Sequence, residues 1–198
     1  LENNNINYKA INACIAFVPS LEGKQLILVE DLISKGESHP VQKAMVNYHG
    51  SQCGFCTPGF VMSLFAMYKN YPSYKSNIIK NSIAGNLCRC TGYRPIIDAA
   101  KSLNKKNKFD YFRKTKQATI SLLQKIELDS IVIFHKDKKY FAPKNVSELK
   151  KILKRNPHSK LLSGGTDLSL IVTKEKKDID SIIYMNSINE LNYIEKKK

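Results

Sequence analysis

Four cysteines held in two short motifs constrain this chain more than any other feature of it. Cys53-Gly-Phe-Cys56 and Cys88-Arg-Cys90 are separated by thirty-one residues, and each pair falls at the edge of a segment with helical periodicity. Val41, Ala44, Met45 and Tyr48 recur at i, i+3, i+4, i+7 and stop at Gly50. Val61, Leu64, Phe65 and Tyr68 repeat the spacing, as do Ile96, Ala99, Ala100 and Leu103. A shorter piece, Asn77 to Leu87, places Ile79, Ile83 and Leu87 on one side. Four helices with one apolar stripe each predict a compact all-α unit over residues 35–103, with two loops presenting four thiols to one point.

Three kinds of chemistry compete for those thiols. Disulfides are disfavoured by an odd total of five cysteines and the lack of an export signal. Structural zinc takes four sulfurs, usually from pairs with two to four intervening residues; Cys53/Cys56 fits and Cys88/Cys90 fits poorly. An iron–sulfur cluster on four cysteines is the third reading, since a two-iron core offers two ligand positions on each iron. Such a core with four thiolates carries about two negative charges, and burying it requires donors. Thr57 and Pro58 read as N-cap and first residue of a helix just after Cys56, and Pro95 opens another just after Cys90. Both helix N-termini then aim free N–H groups at the anion. Arg89 and Arg94 add positive charge, while Gly54, Gly59 and Gly92 permit close backbone approach.

Around this unit the chain changes character. Residues 6–29 alternate loosely about a turn at Glu22-Gly23 and predict two short strands, roughly 13–18 and 25–29. Lys101 to Lys116 carries seven basic residues and one acid and reads as part of a basic linker spanning 104–128. Mixed α/β material follows: strands at Ile131–Phe134 and Tyr140–Phe141, a helix at Val146–Leu153, and strands at Leu161–Leu162 and Ile182–Met185. The net charge is +15 over 198 residues, but lysine is spread along the chain rather than gathered with aromatics, so a solvated surface and no nucleic-acid partner are expected. No apolar run is long enough to span a membrane, and no basic-then-apolar signal leads the chain, so a cytoplasmic protein without a membrane partner is expected. It begins at Leu1 rather than methionine, as an incomplete or processed chain would.

Two further features have ordinary readings taken alone. Cys14, in Asn12-Ala-Cys-Ile15, reads as a small buried apolar residue at a strand end. Leu161-Leu162-Ser163-Gly164-Gly165-Thr166-Asp167-Leu168 gives a tight strand-to-helix turn whose successive N–H groups could form an anion-binding nest.

Gln52-Cys-Gly-Phe-Cys-Thr-Pro-Gly59 and Gly85-Asn-Leu-Cys-Arg-Cys-Thr-Gly-Tyr-Arg-Pro95 resemble the second [2Fe-2S] signature of the xanthine dehydrogenase/aldehyde oxidase family of molybdenum hydroxylases, over the whole helical unit. The resemblance implies that Cys53, Cys56, Cys88 and Cys90 ligate the cluster nearer the molybdenum cofactor. It also implies that Gln52 contacts a molybdopterin held by another domain or a partner large subunit. Cys14 resembles the fourth ligand of the family's other [2Fe-2S] cluster, in C-x4-C-x2-C…C spacing, the first three ligands lying before Leu1. Tyr140 to Leu149, the loop at 161–168 and Ile182 to Met185 are similar to the start of the family's FAD domain, which implies backbone contact of residues 161–168 with the FAD pyrophosphate.

The architecture so implied is an α+β multidomain chain. Residues 1–34 are the remnant of a ferredoxin-like β-grasp, 35–103 the all-α four-helix [2Fe-2S] domain, 104–128 a linker, and 129–198 the truncated start of an α/β FAD-binding domain of the PCMH type. The function implied is an electron-transfer subunit, inactive alone. It would carry electrons from a partner's molybdenum site through two [2Fe-2S] clusters per complete subunit to FAD and NAD+, during hypoxanthine or xanthine oxidation. No catalytic acid or base is expected on this chain. The alternatives are the small subunit of an aldehyde or CO dehydrogenase-like enzyme and, from another class, a zinc-binding basic nucleic-acid module.

Overall fold

The computed structural model describes residues 1, 4–103, 110–127 and 129–196. Contacts divide the chain into two units: Leu1–Ala10 with Gln25–Ile126, and Ile11–Lys24 with Glu127–Lys198.

The first unit is helical. Its elements are α1 (Pro40–Asn47), α2 (Thr57–Asn70), α3 (Ser76–Ile83), α4 (Arg94–Ser102), α5 (Tyr111–Lys114) and α6 (Lys116–Gln124). Local chemistry sets the ends. At α1, Val41 N–H donates to His39 Nδ1 (3.3 Å) and His39 N–H donates to Gln42 Oε1 (3.0 Å), a capping box ahead of Pro40. α2 stops at Tyr71, before Pro72. The predicted stripes meet inside: Val41, Leu64, Ile79 and Ile96 are fully buried, joined by Phe60, which lay outside the predicted stripe, each stabilising the fold by roughly 1.5–3 kcal/mol. α3 ends sooner than its apolar spacing predicts. The chain turns at Ala84–Asn86, and Leu87, expected inward, is 74% exposed.

The predicted linker forms α5 and α6 over most of its described part; residues 104–109 and 128 lie outside the described residues. Asp110 starts α5 by accepting from Arg113 N–H (3.2 Å). It also pairs with Lys69 Nζ (2.6 Å) and faces His39 Nε2 at 3.7 Å, among buried aromatic rings. Burial alone would raise this carboxyl, but the His39 ring facing it and the hydrogen bond from Lys69 outweigh that and hold it down to about 2. Phe112 follows it into the core.

The second unit is a four-stranded sheet in the order β1-β2-β4-β3. β1 (Ile131–His135) pairs antiparallel with β2 (Lys138–Ala142), and β2, β4 (Ser181–Tyr184) and β3 (Lys160–Leu162) run parallel. α7 (Val146–Arg155) connects β2 to β3, and α8 (Leu168–Thr173) connects β3 to β4. α7 is capped by Asn145, which accepts from Glu148 N–H (2.8 Å). It buries Leu149 against Phe141, Ile183 and Ile188.

The strands expected at 13–18 and 25–29 do not form. Residues 13–15 and 18–21 are short 3-10 turns, and 25–29 leads into another at 30–32. Pro19 lacks the N–H that a sheet ladder needs, and Asn12 caps the first turn by accepting from Cys14 N–H (3.2 Å). The α+β class stands, with the sheet residing wholly in residues 131–184 among the described residues.

Candidate metal centre and glycine loop

The four thiols of the helical unit do come together. Cys90 Sγ lies 3.5 Å from Cys53 Sγ and 3.8 Å from Cys88 Sγ, and Cys56 sits near enough to Cys88 for the two thiols to shift each other's titration. Two loops deliver them. The first turns at Gly54 (φ +82°) and is tied by a 2.7 Å hydrogen bond between the Ser51 and Thr57 hydroxyls. Cys56 itself, rather than Thr57, occupies the N-cap position of α2, with Thr57 and Pro58 in its first turn. The second loop turns at Gly92 (φ +73°) and Tyr93 (φ +68°) into α4, whose first residue is Arg94. Both helix starts thus adjoin cysteines, as the prolines predict.

Backbone amides prepare the sulfurs as anions. The Thr91 N–H, donating to Cys88 Sγ at 3.3 Å, and then the Cys90 N–H hold the Cys88 thiol down to about 6. The Cys53 backbone, then its side chain, lowers Cys90. Cys56 is pushed up, first by burial and then by the neighbouring Cys88. A thiolate is the form that ligates metal, so this donor set fits an anionic sulfur-bound group. Sulfur contacts run Cys88–Cys90–Cys53. Among the described residues no three His, Cys, Asp or Glu side chains surround a position for a metal ion. Arg94 is engaged elsewhere: its guanidinium pairs with Asp98 at 3.1 Å.

Residues that sequence reasoning passed over hold the second loop in place. Tyr93 Oη accepts from Cys88 N–H (2.9 Å) and donates to the Asn86 carbonyl (3.5 Å), while Asn86 Nδ2 donates to Ser63 Oγ on α2 (2.8 Å). A Cβ on Gly59 would come within 2.9 Å of Asn86 Oδ1, so this glycine lets α2 and the cysteine turn approach. The signal was present in the Gly85-Asn86 and Gly92-Tyr93 pairs, which mark tight turns. At the rim, Gln52 is exposed and Phe55 is 95% exposed. Cys14 lies in the other unit and is exposed rather than buried, so its reading as a buried apolar residue fails.

In the sheet unit the glycine loop follows β3 at the carboxyl end of the parallel strands, where open α/β sheets bind ligands. Leu161 and Leu162 form the strand. Leu162 is buried in the core and its carbonyl accepts from Met185 N–H (2.8 Å). Ser163 Oγ donates to Asn186 Oδ1 (2.9 Å). Ser163, Gly164, Thr166 and Asp167 are exposed; Gly165 takes φ +87°, and Leu168 opens α8 partly buried. A Cβ on Gly164 would meet nothing within 4 Å, so its backbone is open to a ligand.

Comparison with known proteins agrees with this division. Residues 28–101 match the family described as a [2Fe-2S] binding domain, and residues 134–198 match the FAD binding domain in molybdopterin dehydrogenase. A xanthine dehydrogenase of Emericella nidulans is 30% identical over 95% of this chain and 18% of its own length. One from Blastobotrys adeninivorans is 51% identical over 52% of the chain and 7% of its own length. Aldehyde oxidase 1 of Oryctolagus cuniculus is 46% identical over 50% of the chain and 8% of its own length. The chain therefore spans less than a fifth of these relatives. Fold, thiols and loop define an iron–sulfur and flavin-binding electron-transfer region. The chain belongs to the xanthine dehydrogenase/aldehyde oxidase family of molybdenum hydroxylases, which are oxidoreductases.

Proposed function

We propose that this chain is the electron-transfer part of a xanthine dehydrogenase-like enzyme acting on hypoxanthine or xanthine in the cytoplasm, with NAD+ as final acceptor. In this reading Cys53, Cys56, Cys88 and Cys90 hold one [2Fe-2S] cluster and Cys14 is a ligand of a second. The backbone of 161–168 lies on the FAD pyrophosphate, and Gln52 meets a molybdopterin carried by a partner domain or subunit. The domain limits proposed are 1–34, 35–103, 104–128 and 129–198.

The observation that carries the reading is the contact of sulfurs from two loops, with amide donors lowering two of the thiols. A bound cluster supplies one-electron redox capacity. The chain's own part is to deliver thiolates on the loops that lead into α2 and α4 and to set hydrogen bonds to sulfur, which tune potential. The single residue between Cys88 and Cys90 suits a two-metal core better than one tetrahedral ion. The test is metal and sulfide analysis after anaerobic purification, with visible absorption and electron paramagnetic resonance after dithionite. The expected result is a brown protein with two irons and two sulfides on the helical unit. A colourless, zinc-loaded protein that binds nucleic acid in a salt-dependent way would overturn the reading.

A further inference from the structure

The segment 11–24 belongs to the sheet unit although the chain on either side of it, 1–10 and 25–126, belongs to the helical one. Its attachment is concentrated at the glycine loop. Ser169, 2% exposed in the first turn of α8, donates its hydroxyl to the Ile15 carbonyl at 2.7 Å, across 154 residues of sequence. The same residue's N–H donates to the Gly165 carbonyl at 2.9 Å. One buried serine therefore joins the upstream segment to the second glycine of the loop.

Phe17 makes the second attachment. It packs with Leu162 and Leu168, the residues that bracket the loop, in the core cluster formed by Tyr140, Ala142 and Ile182. A side chain at Gly165 would meet Leu162 Cδ1 at 3.1 Å, Ser169 Oγ at 3.5 Å and Phe17 Cε2 at 4.0 Å, whereas one at Gly164 would meet nothing. The loop is thus backed on the Gly165 side by Phe17 and Ser169 and open at Gly164. Ser20 fixes Phe17 in turn, its N–H and hydroxyl both donating to the Phe17 carbonyl at 2.9 and 2.7 Å. Glu22 approaches Lys144 at 4.0 Å further along.

The geometry points to Phe17 and Ser169 as positioning residues that hold the Gly164–Gly165 loop in its ligand-ready shape and tie Cys14, one residue from the Ile15 anchor, to that loop. This rests on the proposed role of 161–168 as the FAD pyrophosphate contact. A loop that binds through backbone amides gains affinity when those amides are ordered beforehand. Neither residue touches the ligand, so their effect is indirect, through the loop.

The experiment compares the chain with its Phe17→Ala, Phe17→Leu and Ser169→Ala variants, by hydrogen exchange of the amides of residues 164–168 and by FAD titration. Phe17→Ala and Ser169→Ala are expected to speed exchange at those amides and to weaken FAD binding by about tenfold, with iron and sulfide content unchanged. Phe17→Leu, which keeps an apolar side chain under Gly165, restores most of the protection and so separates loop positioning from general unfolding. Unchanged exchange in both Phe17→Ala and Ser169→Ala would overturn the inference. A parent chain that ignores FAD, with variants that still lose loop protection, would sink the flavin role of 161–168 and leave the positioning intact.

Discussion

In the proposed reading the thiol site and the glycine loop solve the same problem, stabilising an anionic group, with opposite materials. The helical unit uses side chains that nothing else can replace: four cysteines, Tyr93 on the Cys88 amide, and Asn86 against Gly59. The sheet unit uses backbone: a loop at 163–167 that is exposed except at Gly165, with side chains serving only to hold the loop's ends. Substitutions should therefore be severe and chemical in the first unit, milder and conformational in the second.

The largest effect is expected at Cys88, the most buried of the four thiols. Cys88→Ser removes the thiol that accepts from the Thr91 N–H, the proposed ligand, and metal binding in such sites is coupled to folding. Iron and sulfide should fall to background, and the melting temperature of the helical unit should drop by roughly 10 °C or more. Unchanged thermal unfolding would show that the loops hold themselves without their group.

Next comes Asp110, which joins α5 to the helical core through Lys69 and His39. Removing one partner of a buried pair costs about 3–5 kcal/mol, so Asp110→Ala should lower the denaturant midpoint of the helical unit. The pH dependence has a definite sign. The folded carboxyl sits at about 2, below its unfolded value of about 3.9. Its contribution is thus complete above about pH 4 and lost as pH falls toward 2. The sheet unit's acids around Lys138 are exposed, so amide exchange across this pH range should report earlier acid opening in the helical unit. Asp110→Asn should remove that difference.

The contrast also explains what could be read before any coordinates. Apolar spacing located all four helices of 35–103 because Val41, Leu64, Ile79 and Ile96 face one core. The cysteine motifs were legible because thiolate chemistry demands particular side chains at particular spacings. The failures share a different cause. Residues 13–29 alternate like strands, but a strand needs a neighbour, and here local turns capped by Asn12 and interrupted by Pro19 prevail. Leu87 fitted the α3 stripe, yet the turn at Gly85-Asn86 swings it to the surface. The linker's many lysines mask the single acid that matters: Asp110 finds a partner forty-one residues away. A pairing at that range leaves no periodic trace.

Gly59→Ala measures how tightly the side-chain site is built. The added methyl would sit 2.9 Å from Asn86 Oδ1, so either Asn86 gives up Ser63 or α2 shifts against the cysteine turn. Overpacking of this kind costs about 1–3 kcal/mol. The expected outcome is a lower denaturant midpoint together with an altered paramagnetic spectrum, since the displaced turn carries Cys88. A stability loss with an unaltered spectrum would mean that Asn86 relaxes without moving the thiols.

The smallest effects, and the most discriminating, lie at the paired glycines of the loop. Gly165 has φ +87° and close neighbours, so Gly165→Ala should cost about 1 kcal/mol from backbone strain. Gly164 has neither feature; Gly164→Ala should leave the denaturant midpoint within about 0.5 kcal/mol of the parent. FAD titration inverts the order if backbone approach is what the ligand needs. A methyl at Gly164 projects into the open space where a pyrophosphate would sit and should weaken binding by about tenfold or more. Gly165→Ala then acts only through the loop's shape. Full FAD affinity in Gly164→Ala would place the ligand elsewhere and leave 163–167 an ordinary turn between β3 and α8.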